Sequence, residues 1–284
     1  MSLSGSAKLA GVIGWPIAQS LSPALHGFWL NEYSVDGAYV PLAIRPEDFS
    51  RSVDGLFRAG FAGFNVTIPH KEAAFAIAEH HDQAAKLIGA VNLLVIKDGK
   101  LEGRNTDAYG LAATLKQELG PETLRGKSVA IWGAGGTTRA AIYALSGLSV
   151  AEIRLFNRTP EKAAALAKDF SNKVTAKLSA SGYEAWSGKD IALIVHTTSA
   201  GMKNTPVLDH SLDDLPADAV VFDAVYNPLE TGLLARARTR GLKTVDGLWM
   251  LLHQAVPSFA AFYGIEPSVT PALRQTLLKA LNGG

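Results

Sequence analysis

The sequence predicts an α/β fold in two domains, with mostly parallel sheets covered by helices. Strand-like and helix-like segments alternate along most of the chain, which is the pattern of βαβ units. A length of 284 residues suits two domains of ordinary size or one large domain. Hydrophobic residues make up 48% of the chain and charged residues 19%, so a sizeable core can form.

The first third of the chain alternates between short apolar runs and longer segments with helical periodicity. A helix is expected to begin with Ser22 as its N-cap and Pro23 in its first turn. The pair Asp98-Gly99 is typical of a two-residue hairpin turn. The predicted strands are 8–14, 37–44 and 61–68, the predicted helices are 22–33, 46–60, 71–80 and 81–90, and the hairpin covers 91–105.

A second unit is predicted to begin near Asp107 with a helix that ends at a Gly-Pro break. A long apolar helix closes this part of the chain, and Pro257 is expected to kink or break it. We therefore predict one domain of 1–107 plus 246–284, with a second domain of 108–245 inserted in it. The predicted strands are 128–133, 152–158, 191–198 and 219–225, and the predicted helices are 137–148, 160–170 and 247–264.

Composition argues against several classes of function. A net charge of +1 gives no electrostatic reason to expect nucleic acid or an anionic membrane as a partner. No apolar run approaches the roughly 18 residues that a membrane span needs. The chain has no cysteine, which excludes disulfides, thiolate catalysis and cysteine zinc sites. Of its 7 histidines, His26, His70, His80 and His81 show no metal-ligand spacing. We expect a cytoplasmic protein without a metal.

The segment VAIWGAGGTTRAAIYAL reads as a strand, a glycine loop and a helix. Gly133, Gly135 and Gly136 allow a sharp turn and a close approach to a pyrophosphate, and the following helix would direct its free N–H groups at that anion. Thr138 stands where G-x-G-x-x-G has its third glycine. The loop predicts a dinucleotide site of Rossmann type, and the alternative is an ordinary tight turn.

The end of the next strand indicates which dinucleotide is bound. Enzymes that use NAD usually place an acidic residue there against the ribose 2′-hydroxyl. This chain has Asn157, Arg158 and Thr159 instead, with Lys162 one turn further on. Arginine can stack on adenine and pair with a 2′-phosphate, so the segment favours NADP over NAD. The alternative is a solvated arginine at a strand end.

Polar residues recur at strand ends and helix starts in the first domain. Ser20 and Ser22 precede a helix, where two hydroxyls suit a carboxylate ligand, although Ser22 could merely cap that helix. Asn65 and Thr67 share one face of a strand. Lys71 begins the next helix, where a cation opposes the helix dipole, and the alternative is a solvated surface lysine.

Two further residues complete a possible acid–base arrangement. Asn92 in GAVN could bind a ligand or serve as a turn residue, and Asp107 in GRNTDAYG could act in catalysis or cap its helix. Hydride transfer to a carbonyl needs a proton for the developing alkoxide. Lys71 could donate that proton, while Asp107 could hold it and bind the reacting hydroxyl.

Taken together, these motifs resemble the shikimate dehydrogenase family. Nine of them occur in the family's order over about residues 9–264, which is more specific than any one motif. They are GWPIAQSLSPALH, FNVTIPHKEAA, GAVN, GRNTDAYG, GAGGTTRAA, NRT, TTSAGM, DAVYNPLETGLL and DGLWMLLHQAVPSF.

The resemblance implies reversible reduction of 3-dehydroshikimate to shikimate with NADPH, in chorismate and aromatic amino acid biosynthesis. It implies a substrate domain formed by the first and last parts of the chain and an NADP-binding Rossmann domain between them. The implied catalytic residues are Lys71 and Asp107, and the implied substrate-binding residues are Ser20, Ser22, Asn65, Thr67, Asn92, Tyr226 and Gln254. The implied cofactor-binding residues are Gly133, Ala134, Gly135, Gly136, Thr137, Asn157, Arg158, Thr159, Lys162, Thr198, Met202, Val225, Gly247 and Met250.

Some positions depart from the usual family pattern. Gly27 replaces asparagine, His70 replaces tyrosine, Leu93 replaces threonine, Ala108 replaces glycine and His196 replaces asparagine. We expect His196 to affect the packing of the cofactor domain and Leu93 to affect selectivity among ring hydroxyls.

Three other functions stay open on the sequence. They are a quinate/shikimate dehydrogenase of broader specificity, an aminoshikimate-type paralogue, and a metabolite-sensing protein without catalysis. In each case the expected partner is a small molecule such as shikimate, and the protein is expected to be a monomer or homodimer.

Overall fold

The computed structural model describes residues 3–203 and 205–282, which divide into two compact units. The first unit contains the residues up to Thr106 and those from Gln254 on, and the second contains Asp107–His253. In the part of the chain so described, every helix is too short or too polar to cross a membrane.

Strands and helices alternate through most of the chain. Two short 3-10 helices, Pro46–Asp48 and Tyr183–Ala185, accompany them. The strands are β1 (Lys8–Gly14), β2 (Gly37–Ala43), β3 (Gly63–Val66), β4 (His80–His81), β5 (Leu93–Lys97), β6 (Lys100–Arg104), β7 (Ser128–Trp132), β8 (Glu152–Phe156), β9 (Lys177–Ser181), β10 (Ile191–His196), β11 (Val220–Asp223) and β12 (Lys243–Val245). The helices are α1 (Ser22–Glu32), α2 (Phe49–Arg58), α3 (Lys71–Ile77), α4 (Gln83–Ile88), α5 (Asp107–Leu119), α6 (Gly136–Gly147), α7 (Pro160–Phe170), α8 (Gly232–Thr239), α9 (Gly247–Tyr263) and α10 (Pro271–Asn282).

Within the described ranges, the first unit contains a six-stranded mixed sheet in the order β2-β1-β3-β5-β6-β4. β1 pairs in parallel with β2 and β3, whereas β5 is antiparallel to β3 and β6. The hairpin between β5 and β6 turns at Asp98 and Gly99, with φ of 52° and 75°. A tight hairpin turn with positive φ at both central residues is what this residue pair favours, so the predicted hairpin is confirmed.

Three local predictions for the first unit are wrong in detail. β3 ends at Val66 rather than at residue 68, and α3 ends at Ile77 rather than at residue 80. His80 and His81 form β4, because the backbone N–H of Glu79 donates to Leu101 O at 2.9 Å and brings the chain alongside β6. This pairing with a strand far along the chain overrides the local helical pattern.

Ser22 is not the N-cap of α1. Leu21 occupies that position with φ of −85° and ψ of −6°, and none of the described side chains caps the helix there. The backbone N–H of Ser22 donates to Ser20 Oγ at 3.3 Å. Because Leu21 already has helical dihedral angles, Ser22 lies inside the first turn and its hydroxyl is not used as a cap.

In the described part of the second unit, a six-stranded parallel sheet has the order β12-β11-β10-β7-β8-β9. Counted from β7, this is the strand order of a dinucleotide-binding Rossmann sheet. The order reverses between β7 and β10, where the loops after these neighbouring strands diverge. Ligands of open parallel sheets bind at such a point, outside the carboxyl ends of the strands.

Several elements are absent from the sequence predictions, and each has a weak local signal. β9 (KLSAS) and β12 lie at the two edges of the parallel sheet and carry no continuous apolar run. α8 is short, although Thr231 caps it by accepting a hydrogen bond from Leu234 N at 3.3 Å. Of the kink or break predicted at Pro257, the break does not occur, since α9 continues through this residue.

The core of the first unit includes a buried aromatic stack around His26. His26 is fully buried, and its ring lies parallel to that of Tyr39, with centroids 3.9 Å apart. Trp29 and Phe259 contact the same imidazole. Neither ring nitrogen of His26 has a hydrogen-bond partner among the described residues. Burial lowers the pKa of His26 from 6.5 to about 3, so the folded protein holds a neutral imidazole.

This burial predicts acid sensitivity that a His26→Phe variant should lose. Between pH 6.5 and about 3 the unfolded chain binds a proton at His26 that the folded chain does not. The free energy of unfolding therefore falls as pH falls through this window, by about 5 kcal/mol for a complete shift. Urea unfolding at a series of pH values measures it.

The control for this experiment is His80→Asn, because His80 is an exposed histidine in the same unit. The phenylalanine variant should show a shallower fall in stability below pH 6.5 than either the wild type or this control. Parallel curves for all three proteins would contradict the assigned role of His26.

Candidate active site

The glycine loop after β7 has a backbone that only glycine accommodates at its first position. Gly133 has a φ of +128°, which L side chains rarely adopt. A Cβ atom there would lie 2.5 Å from Thr197 Oγ1 and 3.0 Å from Thr198 Cγ2. Glycine therefore allows the loop to pack directly against the segment after β10.

Thr138, which replaces the third glycine of the motif, anchors this loop. Its hydroxyl is fully buried, accepts a hydrogen bond from Gly135 N at 3.1 Å and bonds the Thr197 hydroxyl at 2.8 Å. Thr197 in turn donates to Trp132 O at 3.0 Å. The departure from G-x-G-x-x-G thus supplies a hydroxyl that ties the loop to both neighbouring strands.

A pocket of about 360 Å³ lies at the carboxyl ends of β7, β8 and β10. The side chains of Arg158 and Lys162 are exposed there, and Asn157 Nδ2 donates to Thr159 O at 2.9 Å, which orders the turn between them. The loops thus bring most of the predicted cofactor residues to one pocket. Its lining is Gly133, Ala134, Gly135, Asn157, Arg158, Thr159, Lys162, Thr197, Thr198 and Ser199.

Tyr183 lines an adjoining pocket of about 350 Å³ that shares Arg158 and Thr198. Burial raises the pKa of Tyr183 to about 12, and the Arg158 guanidinium opposes that rise. The phenol is therefore neutral beside the arginine, and the fixed charges from Arg158 and Lys162 are both positive. This part of the surface suits an anionic group attached to a flat ring system.

His196 connects two strands to the pocket. The Asp223 carboxylate accepts hydrogen bonds from His196 Nδ1 at 2.8 Å, from Thr231 Oγ1 at 2.6 Å and from Val225 N at 3.0 Å. The other nitrogen of His196 bonds Thr198 Oγ1 at 2.6 Å. This departure from the family's asparagine therefore joins β10, β11 and the pocket-lining Thr198 in one hydrogen-bonded network, in which His196 and Asp223 are buried.

The remaining predicted cofactor residues are distributed around the same sheet edge or near it. Gly136 and Thr137 begin α6, Val225 follows β11, and Gly247 begins α9. A Cβ atom at Gly247 would lie 2.3 Å from Ala224 O, so glycine permits that close approach. Met250 is buried and Met202 is 45% exposed.

In the first unit, Asn65 lies within a buried polar cluster. Its Nδ2 donates to Ser258 Oγ at 2.8 Å and to Asn92 O at 3.3 Å, and its Oδ1 accepts from the Tyr39 hydroxyl at 2.8 Å. The sequence analysis did not identify Tyr39 and Ser258 as members of this cluster. They are 26 and 193 residues away from Asn65 along the chain and lie in apolar segments, so no local motif identifies them.

Asn92 fixes the segment that leads to Asp107. Its Oδ1 accepts from Thr106 N at 2.8 Å, and its Nδ2 donates to Thr106 Oγ1 at 3.0 Å. Gln254 Oε1 accepts from Thr106 Oγ1 at 3.3 Å. Asn92 is therefore a buried connector rather than only a turn residue, and two predicted substrate residues contact one threonine.

Lys71 is connected to the same region through its backbone. Val91 N, next to Asn92, donates to Lys71 O at 3.0 Å. Lys71 is the first residue of α3, as predicted, and its side chain is partly buried, as are those of Thr67, Ser20 and Ser22. The preceding His70, another departure, is buried against Phe49 with its Nε2 2.8 Å from Ile44 O.

Residues predicted for the substrate site also occur in the second unit. Asp107 begins α5, where a carboxylate complements the helix dipole. Tyr226 follows β11, and burial raises the pKa of its phenol, which keeps it neutral at ordinary pH. Across the described ranges, no group of three or more His, Asp or Glu side chains is arranged to hold a metal ion.

Comparisons with known proteins match a segment in each of the two units. A family model for the shikimate dehydrogenase substrate binding domain matches residues 12–94, and a model for shikimate / quinate 5-dehydrogenase matches residues 114–212. Shikimate dehydrogenase (NADP(+)) of Paramagnetospirillum magneticum is 50% identical over 277 residues, covering 97% of this chain and 100% of the relative. The chain belongs to the shikimate dehydrogenase family. The resemblance found in the sequence is confirmed.

Solved structures of this family share the fold over nearly the whole chain. A crystal structure of a shikimate dehydrogenase in complex with NADP+ is 35% identical, with a TM-score of 0.90, and covers 99% of this chain and 98% of that one. Quinate dehydrogenase from Corynebacterium glutamicum in complex with NAD is 31% identical, with a TM-score of 0.86, and covers 96% of this chain and 99% of that one. The predicted α/β class with a Rossmann-type unit is confirmed.

The geometry at Gly133 predicts a large cost for adding one methyl group. Gly133→Ala should lower the free energy of unfolding by about 1–3 kcal/mol, because the positive φ and the contact with Thr197 both disfavour a Cβ atom. Gly136→Ala is the matched control, since a Cβ atom at Gly136 would meet no atom of the described residues within 4 Å. Urea unfolding of both variants measures this, and equal losses would contradict the proposed strain.

Proposed function

We propose that this protein catalyses the NADP-dependent, reversible reduction of 3-dehydroshikimate to shikimate. The observation that carries the proposal is the buried amide and hydroxyl cluster around Asn65 and Asn92. It lies in the unit that matches the family's substrate binding domain, and Lys71 is linked to it through Val91. A ring acid with several hydroxyl groups needs such donors and acceptors. The sequence similarity to a shikimate dehydrogenase over nearly the whole chain supports the same substrate.

NADP is the proposed cofactor because the second unit offers positive charge where a 2′-phosphate would lie. The pocket at the reversal of strand order carries Arg158 and Lys162, and the described residues that line it include no carboxylate. A bidentate guanidinium can pair with a phosphate and also stack on an adenine ring. The Gly133–Gly135 loop and the start of α6 are proposed to hold the pyrophosphate through backbone N–H groups.

Substrate binding is proposed for residues of three chemical kinds. The hydroxyls of Ser20 and Ser22 lie before and within the first turn of an eleven-residue helix and suit a carboxylate. The amides of Asn65, Asn92 and Gln254 and the hydroxyl of Thr67 suit ring hydroxyls. Tyr226, with its neutral phenol, is proposed to lie near the substrate carboxylate.

Lys71 and Asp107 are proposed as the acid–base pair. Bound NADPH supplies the hydride for the substrate carbonyl, and Lys71 donates the proton that the developing alkoxide requires. Asp107 would orient the reacting hydroxyl and hold the lysine in its charged form. Support comes from the chain itself, since Asp107 follows Thr106, whose backbone and side chain are both bonded to Asn92.

The roles of the two units follow from these assignments. We propose that the unit containing residues up to Thr106 and from Gln254 on binds substrate, and that the other unit binds NADP. A cytoplasmic location and a monomeric or homodimeric state stay predictions from the sequence.

A broader quinate/shikimate specificity is the second candidate, and Leu93 is the observation that favours it. Leu93 is fully buried and lies directly opposite Asn65 in the antiparallel pair of β3 and β5. Opposed residues of such a pair point to the same face of the sheet. An apolar side chain there replaces the hydroxyl that threonine would add to that face, which reduces the number of groups that distinguish ring hydroxyls.

An activity panel tests the proposed function. Oxidation of shikimate, quinate and aminoshikimate is followed at 340 nm with NADP and with NAD. We expect kcat/KM to be highest for shikimate with NADP and at least about tenfold lower with NAD, since tenfold corresponds to the loss of one modest charged contact. Equal values on quinate would favour the broader enzyme. A preference for NAD would refute the cofactor assignment, and no turnover on any substrate would favour a sensing protein.

Lys71→Ala should lower kcat by roughly 10²- to 10⁴-fold, because a general acid usually contributes a factor of this size to the rate. The KM for shikimate should change little. Lys86→Ala is the matched control, because Lys86 is an exposed lysine near the end of another short helix of the same unit. A Lys71 variant that keeps most of its turnover would remove Lys71 from the proton-transfer role.

A further inference from the structure

The hydrogen bonds of the Asn65 carboxamide determine what it can offer to a ligand. A carboxamide has two N–H donors and an oxygen with two lone pairs. Both N–H groups of Asn65 are directed at acceptors, Ser258 Oγ and Asn92 O, and one lone pair of Oδ1 accepts from Tyr39. Among the described residues, this leaves one acceptor position on Oδ1.

The hydrogen-bond partners of the Asn65 amide decide which side holds its nitrogen and which side holds its oxygen. Asn92 O is a backbone carbonyl and can only accept, so the nitrogen of Asn65 must face it. The oxygen must then face the Tyr39 hydroxyl, which donates its single hydrogen at 2.8 Å. Rotation of the amide by half a turn would place two acceptors against each other at Asn92.

Tyr39 is itself held firmly. Its ring stacks on the buried His26 with planes 2° apart, and only 7% of its surface is exposed. Burial raises the pKa of Tyr39 well above its ordinary value, while a hydrogen bond with the Ser22 side chain opposes this rise more weakly. The phenol is therefore neutral and keeps the hydrogen that it donates to Asn65.

We propose that Tyr39 is a positioning residue of the substrate site, whose hydroxyl holds the Asn65 carboxamide so that Oδ1 accepts a hydrogen bond from a ring hydroxyl of the substrate. This inference rests on the proposed function and deepens it. The site would require an O–H donor on the substrate at this point. Loss of the Tyr39 hydroxyl would leave Oδ1 less restrained and would weaken substrate binding without changing hydride or proton transfer.

The test compares Tyr39→Phe with Tyr263→Phe. Tyr263 is a matched control in the same unit, since its hydroxyl donates at 2.9 Å to a backbone acceptor, Ala38 O, next to Tyr39. Tyr39→Phe should raise the KM for shikimate about tenfold, the order expected for one buried hydrogen bond, with kcat and the KM for NADP within about twofold. Tyr263→Phe should leave all three unchanged. Equal KM values for the two variants would overturn the inference.

A double-mutant cycle separates positioning from a general loss of packing. If Tyr39 acts through Asn65, then adding Tyr39→Phe to Asn65→Ala should raise the KM no further. Additive effects of the two changes would overturn the proposal. Should Tyr39→Phe not fold, Ser258→Ala carries the same test, because it releases the nitrogen end of the same amide. An unchanged KM in that variant would be equally decisive against it.

Failure of the proposed function is distinguishable from failure of this inference. The wild-type activity panel decides the function by itself. The variant comparison is made on whichever panel substrate the wild type oxidises best. An active wild type with identical Tyr39→Phe and Tyr263→Phe kinetics would overturn only the positioning role.

Discussion

Both units depend on one constraint, which is that parallel strands deliver their carboxyl ends to the same edge of a sheet. In the first unit, β1 leads to Ser20 and Ser22, and the neighbouring β3 leads to Thr67 and Lys71. Residues that are about 50 positions apart along the chain therefore follow adjacent strands. The chemistry proposed for this unit needs that convergence, because a small ring acid must reach all of these groups at once.

The second unit uses the same constraint with a different result. Its parallel strands β7, β8 and β10 end in the glycine loop, in Arg158 and in Thr198, respectively, and the reversal of strand order opens a pocket between them. Close packing of the loop depends on glycine at position 133, where any larger residue would meet Thr197. A dinucleotide pocket thus results from strand order together with one residue that lacks a side chain.

In both units, buried polar side chains are held in fixed orientations because nearly all of their hydrogen bonds are formed. Asn65, Asn92 and Asp223 each have several partners, and a buried polar group without partners would cost free energy. A side chain whose donors and acceptors are already bonded can bind a ligand only through those that remain. The same hydrogen bonds therefore fix the orientation of the side chain and restrict the ligand groups that it can bind. His26 is the contrast, since its nitrogens have no partner among the described residues and it contributes shape alone.

Sequence was a good guide wherever a signal is local. The glycine loop, the Asp98-Gly99 hairpin and the helix that starts at Lys71 all depend on neighbouring residues, and all are found. Two of the errors have long-range causes. His80–His81 is a strand because β6 is available to pair with it, and Tyr39 joins the polar cluster because β2 brings it near Asn65. A prediction from short stretches of sequence cannot include those contacts.

Substrate selectivity in this chain is expected to depend on few polar groups. A site that hydrogen-bonds a substrate hydroxyl discriminates strongly against analogues that lack it, whereas an apolar wall discriminates weakly. Leu93 contributes apolar surface opposite Asn65. Recognition of substrate hydroxyls on that face is therefore expected to depend on the Asn65 amide. An amide that is held by Tyr39, Ser258 and Asn92 can meet this demand, because it presents one acceptor in one direction. Leu93 therefore leaves the Asn65 carboxamide as the polar member of that opposed pair.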